Sequence, residues 1–124
     1  MVVIIRLKKG EEAMTKGYVR GLSQFYADGL ERMEIWIDKK LASSLPHRDN
    51  QRISIILMIG EKSYNAGIRS TPANDYVWIC PDLEDKFGRK MGSLARALTN
   101  NGFQKNQRVN LDIEGNKIKI TPVP

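Results

Sequence analysis

Met33-Glu-Ile-Trp-Ile-Asp-Lys-Lys-Leu-Ala42 decides how this chain is read. Met33, Ile35 and Ile37 alternate with Glu34 and Trp36, the period of a strand with one buried face. Asp38 then offers a carboxylate that can accept the free N–H groups of a first helical turn. Leu41, Ala42 and Leu45 continue at helical spacing until Pro46, which cannot extend a helix. A strand therefore runs into a short helix, and the flanking segments build outward from that pair. Upstream, residues 18–22 can form a short strand. Downstream, Ile53–Ile59 alternates Ile53, Ile55, Leu57 and Ile59, and its other face (Ile56, Met58) is also apolar, as in a strand covered on both sides. Gly60-Glu61 makes a turn. Tyr64, Ala66 and Ile68 then alternate with Ser63, Asn65 and Arg69, and residues 76–80 are aromatic and β-branched, hence strand-like.

A second helix is expected over residues 90–101. Met91, Leu94, Ala95 and Leu98 fall at i, i+3, i+4 and i+7, one apolar stripe, and Gly102 suits a left-handed C-terminal cap. Residues 108–113 and 117–121 form a closing hairpin, in which Val109, Leu111 and Ile113 face Ile118 and Ile120 across a Gly115-Asn116 turn. The order is strand, short helix, three strands, longer helix, hairpin. Residues 1–16 stand outside it. Residues 2–8 read as a strand or tail, and residues 10–16 are charged and ambiguous.

The 124 residues suit one domain with a modest core. Twenty basic against fourteen acidic side chains give a net charge of +6, which favours a polyanionic partner. Cys80 is the only cysteine and His47 the only histidine, so neither an internal disulfide nor an ordinary Cys/His zinc site can form. No apolar stretch approaches the length of a membrane span. Residues 1–7 are too short for a signal-peptide core, and a reducing, cytoplasmic setting is expected. No cofactor is expected, since the chain has no phosphate-cradling glycine motif.

The arrangement resembles the DNA-binding pseudobarrel family, which includes the plant "B-three" domains and the effector domains of bacterial restriction endonucleases such as EcoRII and BfiI. The matching stretches are Met33 to Ala42 and Leu94-Ala-Arg-Ala-Leu-Thr-Asn-Asn-Gly-Phe-Gln-Lys-Asn-Gln-Arg-Val109. Tyr64-Asn-Ala-Gly-Ile-Arg-Ser-Thr-Pro-Ala-Asn-Asp-Tyr-Val-Trp-Ile79 looks most like the restriction-enzyme branch. The resemblance spans residues 17–121. It implies a mainly β fold with two helices, an open seven-stranded pseudobarrel. It also implies that two loops at one end of the barrel grip the major groove of double-stranded DNA like a wrench. Any cleavage would belong to a nuclease domain or subunit elsewhere.

The residues point to the same two segments. Residues 20–32 and 69–76 look too polar and too long to be only turns. Arg20, Arg32 and Arg69 can bond guanine bidentately or bind phosphate. Gln24 and Asn74 match adenine. Ser23, Tyr26, Ser70 and Thr71 suit phosphate or sugar contacts. Each residue has a plainer role open to it: an exposed arginine is also a solvated charge, and Asn74 also suits a turn. Trp36 and Trp78 read as core or barrel-rim aromatics and Tyr76 as a core residue, because all three sit inside strand patterns. Lys39, Lys40 and Arg96 read as solvated helix faces.

Two other functions compete. A small barrel that binds RNA or single strands would need aromatics exposed on a strand face for stacking. A compact metal-dependent nuclease could use Asp82, Glu84 and Lys86, but Asp82 lies only two residues before Glu84, and the plainer role of these residues is a charged loop that starts the second helix. Neither a catalytic nor a metal-binding residue is assigned.

Overall fold

The computed structural model describes residues 15–123, so the expected strand or tail at residues 2–8 and most of the 10–16 segment lie outside the described residues. Nine strands form one sheet: β1 (Thr15–Phe25), β2 (Glu31–Asp38), β3 (Ile53–Ile59), β4 (Lys62–Ser70), β5 (Tyr76–Ile79), β6 (Asp82–Glu84), β7 (Lys90–Ser93), β8 (Arg108–Glu114) and β9 (Lys117–Pro122). The spatial order is β3-β9-β8-β1-β2-β5-β4-β6-β7, and β3 also pairs with β4. That last pairing joins the ends of a seven-strand ring. The barrel is therefore closed, where the resemblance implied an open one. β3 makes the closure: a two-residue turn at Gly60 (φ 62°) returns the chain to β4, and the other edge of β3 runs parallel to β9. β6 and β7 form a hairpin outside the ring.

The core is the set of inward positions of these strands. Val19, Ile35, Ile37, Leu57, Ile59, Ile68, Val77, Ile79, Val109, Leu111 and Ile118 are fully buried. Val19 faces Ile35, and Ile35 faces Ile79, so alternate residues of neighbouring strands stack inward as the pleat dictates. Close approach explains Gly17: a Cβ there would stand 3.0 Å from Ile35 Cγ2. Ile56 and Met58, on the outward face of β3, are only half-buried.

One α-helix, not two, is present among the described residues. Asp38 does cap a turn, accepting from the Lys40 N–H at 2.9 Å, but that turn is a single 3-10 turn, Lys39–Leu41. Ser43 and Ser44 follow, residues whose side chains compete with the helical backbone, and Leu41 is exposed while Ala42 and Leu45 are buried. The α-helix, α1, spans Leu94–Asn100 and starts four residues later than its sequence pattern suggested. Ser93 is its N-cap and accepts from the Arg96 N–H at 3.1 Å. Gly92 breaks the pattern, and residues 90–93 pair with β6 as a strand. Asp82 and Glu84 thus lie in a strand, not in a loop opening the helix. Met91 falls off the stripe and is 70% exposed, while Leu94, Ala95 and Leu98 are buried. The C-terminal end matches the pattern: Gly102 takes φ 84°, and Gly115 turns the β8–β9 hairpin at φ 62°.

These positions predict a contrast within one apparent stripe. Leu98→Ala should cost about 2–5 kcal/mol, while Met91→Ala should stay within about 0.5 kcal/mol. Urea unfolding of both variants checks it, and a comparable loss for Met91→Ala would restore the longer helix.

Candidate nucleic-acid interface

Strand pairing places the two expected arms. β1 and β2 meet at Phe25 and Glu31, so their connection is residues 26–30 alone. β4 and β5 meet at Ser70 and Val77, so the second connection is residues 71–75. Arg20 and Arg32, and likewise Arg69, belong to strands rather than loops. β1, β2, β5 and β4 are successively antiparallel, and Asp38 faces Tyr76. The two connections therefore lie at opposite ends of these four strands, not at one end of the barrel. Eight residues of β2 separate them, roughly 23 Å of strand.

The outer face between them carries an unexpected row. Arg108 faces Tyr18, Tyr18 faces Trp36, Trp36 faces Trp78, and Trp78 faces Arg69, across five neighbouring strands. Trp36, Tyr76 and Trp78 therefore point outward from the barrel, because Ile35, Ile37, Val77 and Ile79 occupy the inward positions. Strand parity corrects the reading of Tyr76 as a core residue and removes the core alternative for Trp36 and Trp78. Trp36 stacks on Tyr76 with centroids 4.1 Å apart and planes 13° from parallel. The Arg20 guanidinium covers the other Trp36 face at 4.7 Å, and Arg108 lies 5.0 Å over Tyr18 while donating to its hydroxyl. Glu34, opposite Arg20, accepts from Trp36 Nε1 at 2.9 Å and so orients the indole.

The other expected contacts divide. Gln24 accepts from Arg32 Nη1 at 3.1 Å, and Arg32 also pairs with Asp82 at 3.6 Å, so these two side chains are committed within the protein. Ser23 sits at φ 59° in the β1 bulge and donates its N–H to Glu31. Tyr26 turns the opposite way: it packs on the core with its hydroxyl buried. Ser70 is 1% exposed and donates its hydroxyl to Asp49, so it cannot contact DNA. Thr71 and Asn74 stand in the second connection, closed by the Asn74 N–H to the Thr71 carbonyl at 3.3 Å.

Lys39 holds that connection in shape. Its Nζ donates to the carbonyls of Thr71 (2.8 Å) and Asn74 (3.4 Å) and pairs with Asp49 (3.3 Å). The hydrogen bond from Ser70, with the nearby Lys39 cation, keeps the Asp49 carboxyl below its ordinary range. Arg96 pairs with Asp28 of the first connection. Lys39 is thus a structural tie rather than a solvated charge, while Arg96 stays on an exposed helix face, as expected, with an exposed carboxylate beside it. Asp82 and Glu84 are engaged by Arg32, Lys90 and Arg52, and no group of three His, Cys, Asp or Glu among the described residues is placed to hold a metal ion. Burial pushes the Cys80 thiol up, which keeps it protonated. No helix among the described residues is long and apolar enough to cross a membrane. No known protein family, curated protein or solved structure matches the chain.

Burial also raises the Glu34 carboxyl above its ordinary 4.5, against smaller lowering by the Trp36 bond and Arg32. A raised carboxyl favours the folded state below its unfolded value, and that gain disappears as pH climbs through the folded value. The ionised Glu34 is thus a burden at neutral pH, and Glu34→Gln keeps the acceptor for Trp36 without the charge. Its thermal midpoint should exceed that of the parent at pH 7, and the gap should close below about pH 4. A variant less stable than its parent at pH 7 would contradict this.

Proposed function

We propose that this protein binds double-stranded DNA in a sequence-specific way. The duplex lies across the outer face of β8, β1, β2, β5 and β4, between the two hairpin connections. One observation carries the reading. Among the described arginines, Arg32, Arg52, Arg89 and Arg96 have carboxylate partners, whereas Arg20, Arg48, Arg69 and Arg108 have none among the described residues. Three of those four stand together on this face. Arg20 and Arg69 stand three strand spacings apart across the sheet and two residues apart along it, roughly 16 Å before curvature, on the scale of the ~12 Å wide major groove. The guanidinium groups of Arg20 and Arg108 are held over the rings of Trp36 and Tyr18, which reduces the ordering cost of binding.

In this reading Arg20 and Arg69 contact base edges, Arg108 neutralises phosphate, and Ser23, Thr71 and Asn74 flank them at the two ends. The resemblance to the DNA-binding pseudobarrels supports the same partner and suggests the target-reading part of a restriction endonuclease, or a free-standing relative, in a bacterial cytoplasm. The chain itself is then a binding domain without catalysis or cofactor.

A second reading has one observation in its favour: aromatic rings do stand on an outer strand face, as single-strand and RNA binders need. Yet Trp36 gives one ring face to Tyr76 and the other to Arg20, and Tyr18 gives a face to Arg108. Trp36, at the centre of the row, thus keeps no face for a base, which favours the duplex.

A competition assay among duplex, single strand and RNA separates the two, using duplexes selected from a random pool. Duplex should win, and its affinity should fall steeply with salt. Arg69→Ala should weaken specific binding about tenfold and relax preference at one base pair, since a bidentate guanine contact supplies roughly 1–3 kcal/mol of discrimination. Arg108→Ala should weaken all duplexes alike and reduce the salt slope by about 1. Preference for single strands, or salt-independent affinity, would overturn the proposal.

A further inference from the structure

The β6–β7 hairpin lies outside the barrel closure and meets β4 through the single pair Asn65–Glu84. Its tip is built rigidly. Asp85 accepts the N–H groups of Phe87 (2.8 Å) and Arg89 (3.0 Å) and pairs with the Arg89 side chain, and Gly88 turns at φ 81°. The backbone bonds, first that of Arg89, hold the Asp85 carboxyl below its ordinary range. This ordered tip presents Phe87 and Met91, the two most exposed large apolar side chains among the described residues, at 69% and 70%. Between hairpin and α1 runs a groove of about 1170 Å³ with Ile56, Tyr64 and Leu83 in its lining. Apolar side chains held out by a fixed hairpin beside a groove are a signature of an interaction site.

Charge says what fits. The carboxylates here, Glu84 and Asp85, are paired inside the protein with Arg52 and Arg89. Lys86 and Lys117 line the groove without a carboxylate partner among the described residues, and Lys86 and Arg89 flank the Phe87 ring at 5.2 and 5.1 Å. The free charge is positive, but the lining is apolar. A phosphate backbone would meet Phe87 and Met91 with nothing to bury. The groove is also larger than the ~300–1,000 Å³ typical of small-ligand pockets. The geometry points to a protein partner: this groove docks a short acidic segment that carries aromatic or aliphatic anchors. The anchors pack on Phe87, Met91 and Tyr64, and the carboxylates meet Lys86 and Lys117. The site shares none of Arg20, Arg69 and Arg108 with the DNA face and stands or falls separately from it.

Selection of displayed random peptides against the purified chain tests this. Enriched peptides should combine Asp or Glu with Phe, Trp or Leu. Synthetic versions should bind the parent at least about tenfold more tightly than the Phe87→Ser/Met91→Ser double variant. Both side chains are exposed, so the variant should keep its far-ultraviolet spectrum and thermal midpoint. Lys86→Glu/Lys117→Glu should weaken the same peptides, and selected duplex DNA should not displace them. The proposal fails if no peptide is enriched, if basic peptides are enriched, if either double variant binds unchanged, or if duplex displaces the peptide. Displacement by duplex would make the groove part of the nucleic-acid surface.

Discussion

Closure of the ring through β3 is the constraint on which the rest depends. β3 spends both edges, antiparallel to β4 and parallel to β9, so the seven-strand ring has no free edge. A closed ring makes inside and outside absolute. Every strand must alternate, and a residue beside a fully buried neighbour must point to solvent or to whatever covers the surface. Ile35, Ile37, Val77 and Ile79 fill the inside, so Trp36, Tyr76 and Trp78 are driven to the outside. The cationic and aromatic row on the outer face follows from filling the core correctly.

Placing aromatics outside has a cost, which the local contacts offset. Trp36 gains a stacked tyrosine, a guanidinium and a carboxylate acceptor. The same contacts immobilise Arg20 and Arg108 on the surface. Elsewhere charges are spent internally: Lys39 shapes the second connection, Arg96 pairs with Asp28 of the first, and Arg52 lies over Gly67, where any Cβ would displace it. The contrast between arginines paired with carboxylates and arginines without such a partner among the described residues is what singles out one face.

Much of this is legible in the sequence. The alternation of Met33, Ile35 and Ile37 against Glu34 and Trp36 already states that Trp36 points away from the core. The core alternative for Trp36, beside the barrel-rim one, gives hydrophobicity precedence over parity, and parity wins in a closed barrel. The two connections are shorter than the polar segments suggest for a related reason. An outward strand face is as polar as a loop, so Arg20, Gln24 and Arg69 look like loop residues until pairing is known. Met91 continues a helical stripe by spacing alone, and only Gly92 and Ser93 signal that the helix starts later. The Lys39 and Arg96 contacts join residues tens of positions apart, and nothing local announces them.

Both tryptophans of the chain, Trp36 and Trp78, stand on the proposed face, so their emission reports on it directly. The decisive measurement is intrinsic tryptophan fluorescence with acrylamide quenching, during titration with a selected duplex. A saturable change in emission and protection from quenching, both reversed by salt, are the predicted result. Duplex binding seen by anisotropy with tryptophan emission and quenching unchanged would place the DNA on another surface and contradict the account.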